Sequence, residues 1–261
     1  MEKTILVAGK DSPAGSVFAE GLTFSGRNVV VTGDEVEVNE ENIKDEDAQT
    51  ERIQRAAGFS TVEWTRASAV SARTIVLQTE NLFSSMDEAV LFFDEEYFAS
   101  LAQKMDAGEI GRSCDEMITG YQYLTMEILS RFEKKNSGDE KPGKLVFLLK
   151  EGPCVSDVVR SPSLRNGSAS IASPLVASAA GAFTSFAENI VALYGDTSYA
   201  NIILVRGDLT SDTASSDDQL AKWLSSYLDE VDGLKSKLSA KKSLNWIKPG
   251  AKASGGFSFF K

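Results

Sequence analysis

Residues 7–21 read VAGKDSPAGSVFAEG, and this stretch decides how the chain begins to fold. The β-branched run at 4–9 ends in a glycine, which is typical of a strand that enters a tight turn. From 14 to 24 the apolar residues recur at helical spacing, so a helix is predicted after the turn. Residues 27–33, RNVVVTG, restore a continuous apolar run, typical of a parallel strand covered on both faces. The pattern therefore predicts a strand, a helix and a second parallel strand.

The same alternation of strands and helices continues along the rest of the chain. Further strands are predicted at 73–80, 88–94, 143–150 and 200–208. Helices are predicted near Gln54 and at 113–135, 172–195 and 217–238. This order predicts an α/β fold with a doubly wound parallel sheet, Rossmann-like, in a single domain over 1–240. The remaining tail, 241–261, is interpreted as an edge strand or an oligomer contact.

Charge and composition exclude several classes of function. The chain has 261 residues and a net charge of −11, and a binder of nucleic-acid phosphates needs clustered basic residues instead. The acidic residues are densest at 34–51, which is interpreted as a solvated excursion. Without a histidine, the chain holds neither a histidine-based catalytic triad nor a zinc site that uses histidine. No metal site is predicted.

The two cysteines and the apolar segments indicate in which cellular compartment the protein is expected. Cys114 and Cys154 do not form a CxxC pair, so they are interpreted as buried or semi-buried thiols rather than a disulfide or redox pair. No secretory signal and no apolar run of membrane-spanning length is recognised in the sequence. We therefore expect a cytoplasmic protein that does not bind membranes.

The turn after the first strand is the first candidate binding site. In dinucleotide-binding turns, one glycine permits the tight turn, a second lets the backbone approach the pyrophosphate, and a third lets helix and strand pack closely. Gly9 and Gly15 supply two of these, whereas Pro13, which lacks an N–H, stands where the middle glycine is expected. Both a structural turn and a phosphate cradle fit this pattern. The candidate cofactor-binding residues are Gly9, Ser12, Gly15 and Asp34.

Asp34 is included because an acidic residue after the second strand can accept hydrogen bonds from an adenine ribose. It lies just beyond that strand, and turn formation explains an aspartate there equally well.

Over residues 4–211, the order and spacing resemble the short-chain dehydrogenase/reductase family. The sequence AGKDSPAG at 8–15 is similar to the family's Thr-Gly-x3-Gly-x-Gly turn, and GAFTSFAEN at 181–189 is similar to its later helix. Gly207 matches the glycine that follows the sixth strand of the family. The resemblance implies NAD or NADP as cofactor. It also implies a homo-oligomer that packs through the helices at 113–135 and 172–195.

The chain departs from the family where the family's chemistry lies. FFDE at 92–95 replaces the family's Asn-Asn-Ala-Gly, and none of the six tyrosines has a lysine four residues later. In the family, that lysine lowers the pKa of the tyrosine so that the phenol can exchange a proton with the substrate. The aligned catalytic positions hold other residues: Met117 at the asparagine, Leu149 and Lys150 at the serine, Ala172 or Ser173 at the tyrosine, and Val176 or Ala177 at the lysine.

These departures predict a short-chain-dehydrogenase-like protein without dehydrogenase activity and without assigned catalytic residues. Such a protein would act as a nucleotide- or ligand-binding scaffold or through an unidentified protein partner. The alternative is an active NAD(P)-dependent oxidoreductase with a non-standard site that uses Lys150, Ser156 or Tyr194. A third interpretation places an anion or sugar-nucleotide site in the loop SPSLRNGSAS at 161–170, where a plain polar loop is the competing one.

Overall fold

A six-stranded parallel sheet forms the centre of the molecule. The computed structural model describes residues 2–33, 58–102, 104–135, 141–160, 173–208, 212–234 and 238–253. The strands within these ranges are β1 (Lys3–Ser12), β2 (Arg27–Gly33), β3 (Phe59–Glu63), β4 (Glu88–Asp94), β5 (Gly143–Lys150) and β6 (Ala200–Gly207). Their order in the sheet is β3-β2-β1-β4-β5-β6, and every neighbouring pair is parallel. The predicted doubly wound, Rossmann-like single domain is confirmed.

Helices cover both faces of the sheet. In chain order they are α1 (Ser16–Phe24), α2 (Ala69–Phe83), α3 (Glu95–Leu101), α4 (Ala107–Cys114), α5 (Gly120–Lys135), α6 (Val155–Arg160), α7 (Pro174–Tyr194), α8 (Asp217–Asp232) and α9 (Ala240–Ser243). One face of the sheet packs against α1 and α8, for example through Val7, Phe18 and Leu224. The other packs against α2, α5 and α7. Alternate residues of each strand pack into the hydrophobic cores on the two faces of the sheet, which explains why these strands are apolar throughout.

The strand predicted at 73–80 is wrong, because these residues lie inside α2. The side chains that α2 buries are Ala72, Ile75, Val76 and Thr79, which recur at helical spacing. Ser68 caps the helix by accepting a hydrogen bond from the backbone N–H of Ser71. The helical spacing of the buried residues therefore decides the structure of this segment, although its β-branched residues are typical of a strand.

The true third strand, β3, is short and lies at the sheet edge, so its sequence signal is weak. Only Phe59 and Val62 of its five residues are buried. The acidic excursion at 34–51 and the helix predicted near Gln54 lie outside the described residues.

The helix predicted at 113–135 begins earlier than the sequence indicates. The described chain is helical from Ala107, with one π-helical turn at Asp115–Thr119 between α4 and α5. The prediction at 172–195 corresponds to α7, and the one at 217–238 corresponds to the shorter α8.

Helix α7 is long and apolar enough, by length and composition, to cross a membrane. This differs from the sequence prediction, which found no apolar run of that length. In the fold, α7 packs its inner face on the sheet through residues such as Val176, Phe183 and Ala187. Its apolar composition is accordingly that of a helix with one side in the core.

The C-terminal segment reaches the β6 edge of the sheet. The backbone N–H of Ile247 donates to the carbonyl of Leu204, and the N–H of Arg206 donates to the carbonyl of Ile247. This contact is a single parallel bridge between Val205 and Ile247, a residue of the 241–261 tail. Residues 254–261 lie outside the described residues.

A buried charge network lies at the amino-terminal edge of the sheet. Arg27 at the start of β2 donates from Nε to Glu88 at the start of β4, over 2.6 Å, and Lys144 on β5 donates to the same carboxylate over 2.8 Å. Asp229 and Asp232 of α8 add further carboxylates to Arg27 and Lys144. Because Glu88 is fully buried between two cations, it ties three strands to each other.

Replacing Glu88 by Gln is expected to lower the free energy of unfolding by about 3 kcal/mol, since it leaves two buried cations short of a partner. The matched variant Glu133→Gln changes an exposed glutamate and is expected to cost no more than about 0.5 kcal/mol. Urea unfolding at neutral pH measures both values. Equal effects of the two variants would contradict a structural role for the Glu88 network.

Candidate functional site

The natural place for a ligand in this fold is the crevice at the carboxyl ends of the strands, between β1 and β4. There the order of strands reverses direction, and the loops on the two sides leave room between them. The residues at the ends of β1, β4 and β5 therefore decide what the crevice can hold.

Gly9 is held in the crevice by the phenol of Tyr121. Tyr121 donates a hydrogen bond from its hydroxyl to the carbonyl of Phe92 over 2.8 Å. A Cβ on Gly9 would lie 2.2 Å from that hydroxyl and 2.2 Å from the Phe92 carbonyl oxygen, and the Gly9 φ of +119° is one that favours glycine. The close packing of Tyr121 thus supplies a structural reason for Gly9.

Gly15 has a structural reason of the same kind. Its backbone N–H donates to the carbonyl of Asp11 over 2.8 Å, and a Cβ there would lie 2.0 Å from the Lys10 carbonyl oxygen. Ser12 pairs with Gly33 of β2, and its hydroxyl lies 3.1 Å from that of Ser16. Asp34, the fourth predicted cofactor-binding residue, lies outside the described residues.

Arg66 and Asp11 form a buried ion pair beside Gly9. Arg66 donates from Nη2 to the Asp11 carboxylate over 2.5 Å and to the Gly9 carbonyl over 2.7 Å. The second Asp11 oxygen accepts from the hydroxyl of Thr32. Burial alone would lower the pKa of Arg66, but the facing Asp11 carboxylate more than offsets this and holds the pKa above its usual value. The guanidinium is therefore permanently charged and is neutralised within the fold.

Aromatic rings enclose the same guanidinium. The Arg66 guanidinium carbon lies 4.8 Å from the ring centre of Trp64 and 5.2 Å from that of Phe98. Both rings belong to the core on the α2, α5 and α7 side of the sheet. The Arg66 pair thus fills the crevice on that side.

A second set of charges fills the crevice on the α1 and α8 side. Lys10 donates to Asp94 over 2.7 Å and to Asp217 over 2.5 Å. Lys150 donates to the other oxygen of Asp217 over 2.7 Å and lies 3.6 Å from Asp94. All four side chains are at least 85% buried, and Asp94 also caps α3 by accepting from the backbone N–H groups of Glu96 and Tyr97.

In this lysine–aspartate network, the pKa values of Lys10 and Asp217 favour the charged forms. Burial alone would lower the pKa of Lys10, but Asp94 and Asp217 outweigh it and raise the value above normal. For Asp217, burial alone would raise the pKa, but Lys10 and Lys150 hold it below its usual value of 3.8. Two cations and two anions thus neutralise each other at this site.

Most of the described positions aligned with the family's catalytic residues are occupied by core or capping groups. Leu149, Met117 and Val176 are each at most 2% exposed. Ser173 caps α7 by accepting from the N–H of Val176, and Ala177 lies on the surface. Leu149 and Ala177 line a groove of about 300 Å³. In it the guanidinium of Arg206 pairs with Glu151 at 3.3 Å.

The three residues named for a non-standard catalytic site do not come together. Lys150 is held by Asp217, whereas the hydroxyl of Ser156 lies 2.7 Å from the sulfur of Cys154. Tyr194 ends α7 just before β6 begins, which places it toward the amino-terminal edge, away from Lys150 at the end of β5. The loop at 161–170 lies outside the described residues. Within the described ranges, no group of three or more Asp, Glu or Cys side chains is arranged to hold a metal ion.

Sequence reasoning missed the residues that dominate the crevice: Lys10, Asp11, Arg66, Asp94 and Asp217. The available signal was that Asp94 ends an apolar run and that Lys10 and Asp11 come shortly after another, at strand ends where polar side chains meet. Arg66 and Asp217 do not follow an apolar strand run, because Arg66 lies in the loop after β3 and Asp217 lies at the start of α8.

With this geometry, the chain has the fold of the short-chain dehydrogenases and reductases, a Rossmann-like fold. A protein of Aeromonas hydrophila subsp. hydrophila ATCC 7966 assigned to that family superposes with a TM-score of 0.61 at 12% identity, over 91% of this chain and 95% of that one. The NADH-dependent reductase A1-R′, solved in complex with NAD, superposes with a TM-score of 0.61 at 12% identity, over 97% and 96% of the two chains. At such identities the likeness shows a common fold.

Sequence comparison adds little to the structural likeness. No protein-family model matches the chain. An uncharacterized protein of Treponema pallidum (strain Nichols) is 28% identical over 169 residues. This match covers 64% of the chain and 65% of the relative, slightly less than two thirds of the relative's length.

Replacing Asp217 by Asn is expected to lower the free energy of unfolding by about 3 kcal/mol at pH 7, because Lys10 and Lys150 then share only Asp94. The folded-state pKa of Asp217 is depressed, so its contribution is present above its usual pKa of 3.8 and is lost as the pH falls through the lower folded value. The difference between wild type and variant should therefore shrink below about pH 4. Urea unfolding across this pH range measures it.

The control is Asp218→Asn, which changes the neighbouring, more exposed carboxylate that pairs with Lys222. This variant is expected to cost less than about 1 kcal/mol. An Asp217→Asn effect that stays constant between pH 7 and pH 3 would show that the carboxylate charge is not what stabilises the site.

Proposed function

We propose that this protein uses the short-chain dehydrogenase fold without transferring hydride, and that it acts as a ligand-binding or protein-interaction scaffold. The observation that supports this best is the filling of the crevice by two sets of buried, mutually neutralised charges. Arg66 with Asp11 occupies one side, and the lysine–aspartate network occupies the other.

A dinucleotide would have to displace these contacts. Its pyrophosphate carries negative charge, and the two lysines that could attract it are already bound by Asp94 and Asp217. Those two carboxylates would repel the phosphates at short range. The turn offers little in exchange, because the N–H groups of Gly15 and Ser16 already donate to the carbonyls of Asp11 and Pro13. Because the polar groups of the crevice already bind one another, we infer that Gly9, Ser12 and Gly15 stabilise the turn and do not bind a cofactor.

The tyrosine at the crevice is unsuited to proton exchange. Tyr121 is buried, and burial raises the pKa of its phenol. Its proton is engaged with the Phe92 carbonyl. A general acid–base group works best with a pKa near the working pH, so the environment of Tyr121 acts in the opposite direction.

The second candidate is an active NAD(P)-dependent oxidoreductase with a rearranged site. It is supported by the position of the crevice, which lies where ligands bind in this fold, and by a structural neighbour solved with NAD. For this function the lysine–aspartate network would have to open, since it closes that position in the described chain.

Isothermal titration of the purified protein with NAD⁺, NADH, NADP⁺ and NADPH separates the two candidates. We expect no saturable heat from any of the four nucleotides, because Lys10 and Lys150 are already bound by Asp94 and Asp217. A dehydrogenase known to bind the cofactors, titrated in the same buffer, is the positive control. Micromolar binding, or turnover of a panel of alcohols and carbonyl compounds, would favour the oxidoreductase instead.

We further propose that the protein forms homo-oligomers through the outer faces of α5 and α7, in the cytoplasm. Glu188 is the only charged residue of α7, so the exposed face of that helix lacks the charges of an ordinary surface. Leu193 on α7 is 74% exposed, and Tyr123 and Met126 of α5 are also exposed apolar side chains. Burial between copies would remove this apolar area from water.

Gly181→Arg tests this self-association. Gly181 is exposed on α7, and a Cβ there meets no atom within 4 Å, so the arginine fits the single chain while it obstructs a partner on this face. We expect light scattering coupled to gel filtration to show a multimer for wild type and a smaller species for Gly181→Arg.

The matched control is Gly111→Arg on α4, where a Cβ also meets no atom within 4 Å. It should leave the oligomer unchanged. A monomeric wild-type protein, or the same loss of mass in both variants, would contradict the proposed interface.

A further inference from the structure

Beyond the Arg66 pair, the crevice at the strand ends continues as a cavity of about 590 Å³. Asp11 and Arg66 line this cavity too, so crevice and cavity form one continuous site. Residues of α3, of α4 and of the π-helical turn enclose the rest. A space of this size can hold a small organic molecule. The proposed ligand-binding role therefore has a place on this side of the crevice.

The π-helical turn shapes one wall of the cavity. Asp115, Glu116 and Met117 are consecutive residues of that turn, and all three line the cavity. Successive residues of an α-helix point in directions about 100° apart, so three in a row do not normally line one surface. A π-helical turn changes this spacing and is frequently found at functional sites. Here it brings two adjacent acidic residues to the cavity.

The cavity wall carries an excess of negative charge. Its charged side chains are four carboxylates and two guanidinium groups, which belong to Asp11, Glu109, Asp115, Glu116, Arg66 and Arg112. Arg66 is paired with Asp11, and Arg112 is paired with Glu109, so each cation already has one carboxylate. The two acidic residues of the π-helical turn make up the excess. Carboxylates attract a cation and repel an anion, and they do so more strongly in a partly enclosed cavity than in bulk water.

The apolar residues of the wall come from a different element than the excess carboxylates. Helix α3 contributes Tyr97, Phe98 and Leu101 to the cavity. Leu101 is 52% exposed, so it lies where the cavity opens to solvent. The rings in this region are compatible with a cation, because the Arg66 guanidinium carbon lies 5.2 Å from the ring centre of Phe98. A molecule that matches this wall has a cationic head and an apolar body.

We propose that the cavity binds an organic cation, a primary amine attached to an apolar body about the size of one aromatic ring. The ammonium group donates to the carboxylates of the π-helical turn, since an ammonium has three donors and no acceptor. The apolar body packs against Tyr97 and Leu101, which removes apolar surface from water. This inference rests on the proposed function, because it names the ligand class of the scaffold and requires that no dinucleotide occupies the crevice.

The test compares three probes that share one ring and differ in the head group. Phenethylamine is cationic at neutral pH, phenethyl alcohol is uncharged and phenylacetate is anionic. Protein labelled with ¹³C in its methionine methyl groups reports the place of binding, because Met117 lines the cavity whereas Met126 is exposed on α5. Met117→Leu assigns the Met117 signal by its disappearance. We expect the amine to shift this signal saturably, to leave Met126 in place, and to bind at least about tenfold more tightly than either other probe.

Glu116→Gln tests the acidic wall while it keeps the size of the side chain. It is expected to weaken amine binding by about three- to tenfold and to leave alcohol binding unchanged, since only the cation loses a charged partner. The matched control is Glu133→Gln, which changes the net charge of the protein equally at an exposed position outside the cavity. This control should leave amine binding unchanged.

Leu101→Lys tests the opening of the cavity with a change of opposite sign. Because Leu101 is half exposed, the lysine can be accommodated, and its charge repels a cationic probe at the entrance. Amine binding is expected to weaken at least about tenfold. The control Phe24→Lys adds the same charge at a residue of α1 that is 81% exposed, and it should have no effect on amine binding.

The inference would be overturned if the amine did not shift the Met117 signal saturably, or if the alcohol or the carboxylate bound as tightly as the amine. Equal weakening by a cavity variant and its control would overturn it as well. NAD⁺ is titrated separately against the same signal. If NAD⁺ leaves that signal in place, a failed amine titration overturns only the ligand class. A saturable shift by NAD⁺ would overturn the proposed function and this inference with it.

Discussion

The buried pair between Arg66 and Asp11 is the interaction on which the carboxyl edge of the sheet depends. An arginine keeps its charge in a protein, so its burial requires a carboxylate at short range. Asp11 meets this requirement because β1 continues past Gly9 as far as Ser12, where it pairs with β2. The guanidinium also binds the Gly9 carbonyl, and so this pair joins the loop after β3 to the end of β1.

The rest of the crevice is built around this constraint. Tyr121 packs against Gly9 on the same side of the sheet, while the lysine–aspartate network closes the opposite side by joining the ends of β1, β4 and β5 to the start of α8. In this fold the position normally offers backbone N–H groups and space to a ligand. Here charged side chains satisfy one another in that space.

The successes and errors of sequence interpretation follow from how far each signal extends along the chain. The strands at 88–94 and 143–150 were predicted with the correct bounds, because each is a continuous apolar run between polar residues. The error at 73–80 arose because a short β-branched run can belong to a strand or to one buried face of a helix. Arg66 was missed because it lies in a short polar segment without periodicity, and only its partners from β1 and α3 reveal its role.

The sequence by itself determined the class of fold and most of the strands, since both depend on local periodicity. Only the tertiary structure decided why Gly9 and Gly15 are glycines and what fills the crevice. Those properties depend on contacts between residues far apart in the chain, such as Gly9 with Tyr121 and Lys10 with Asp217. Packing brings such residues within hydrogen-bond distance, and no local pattern encodes that proximity.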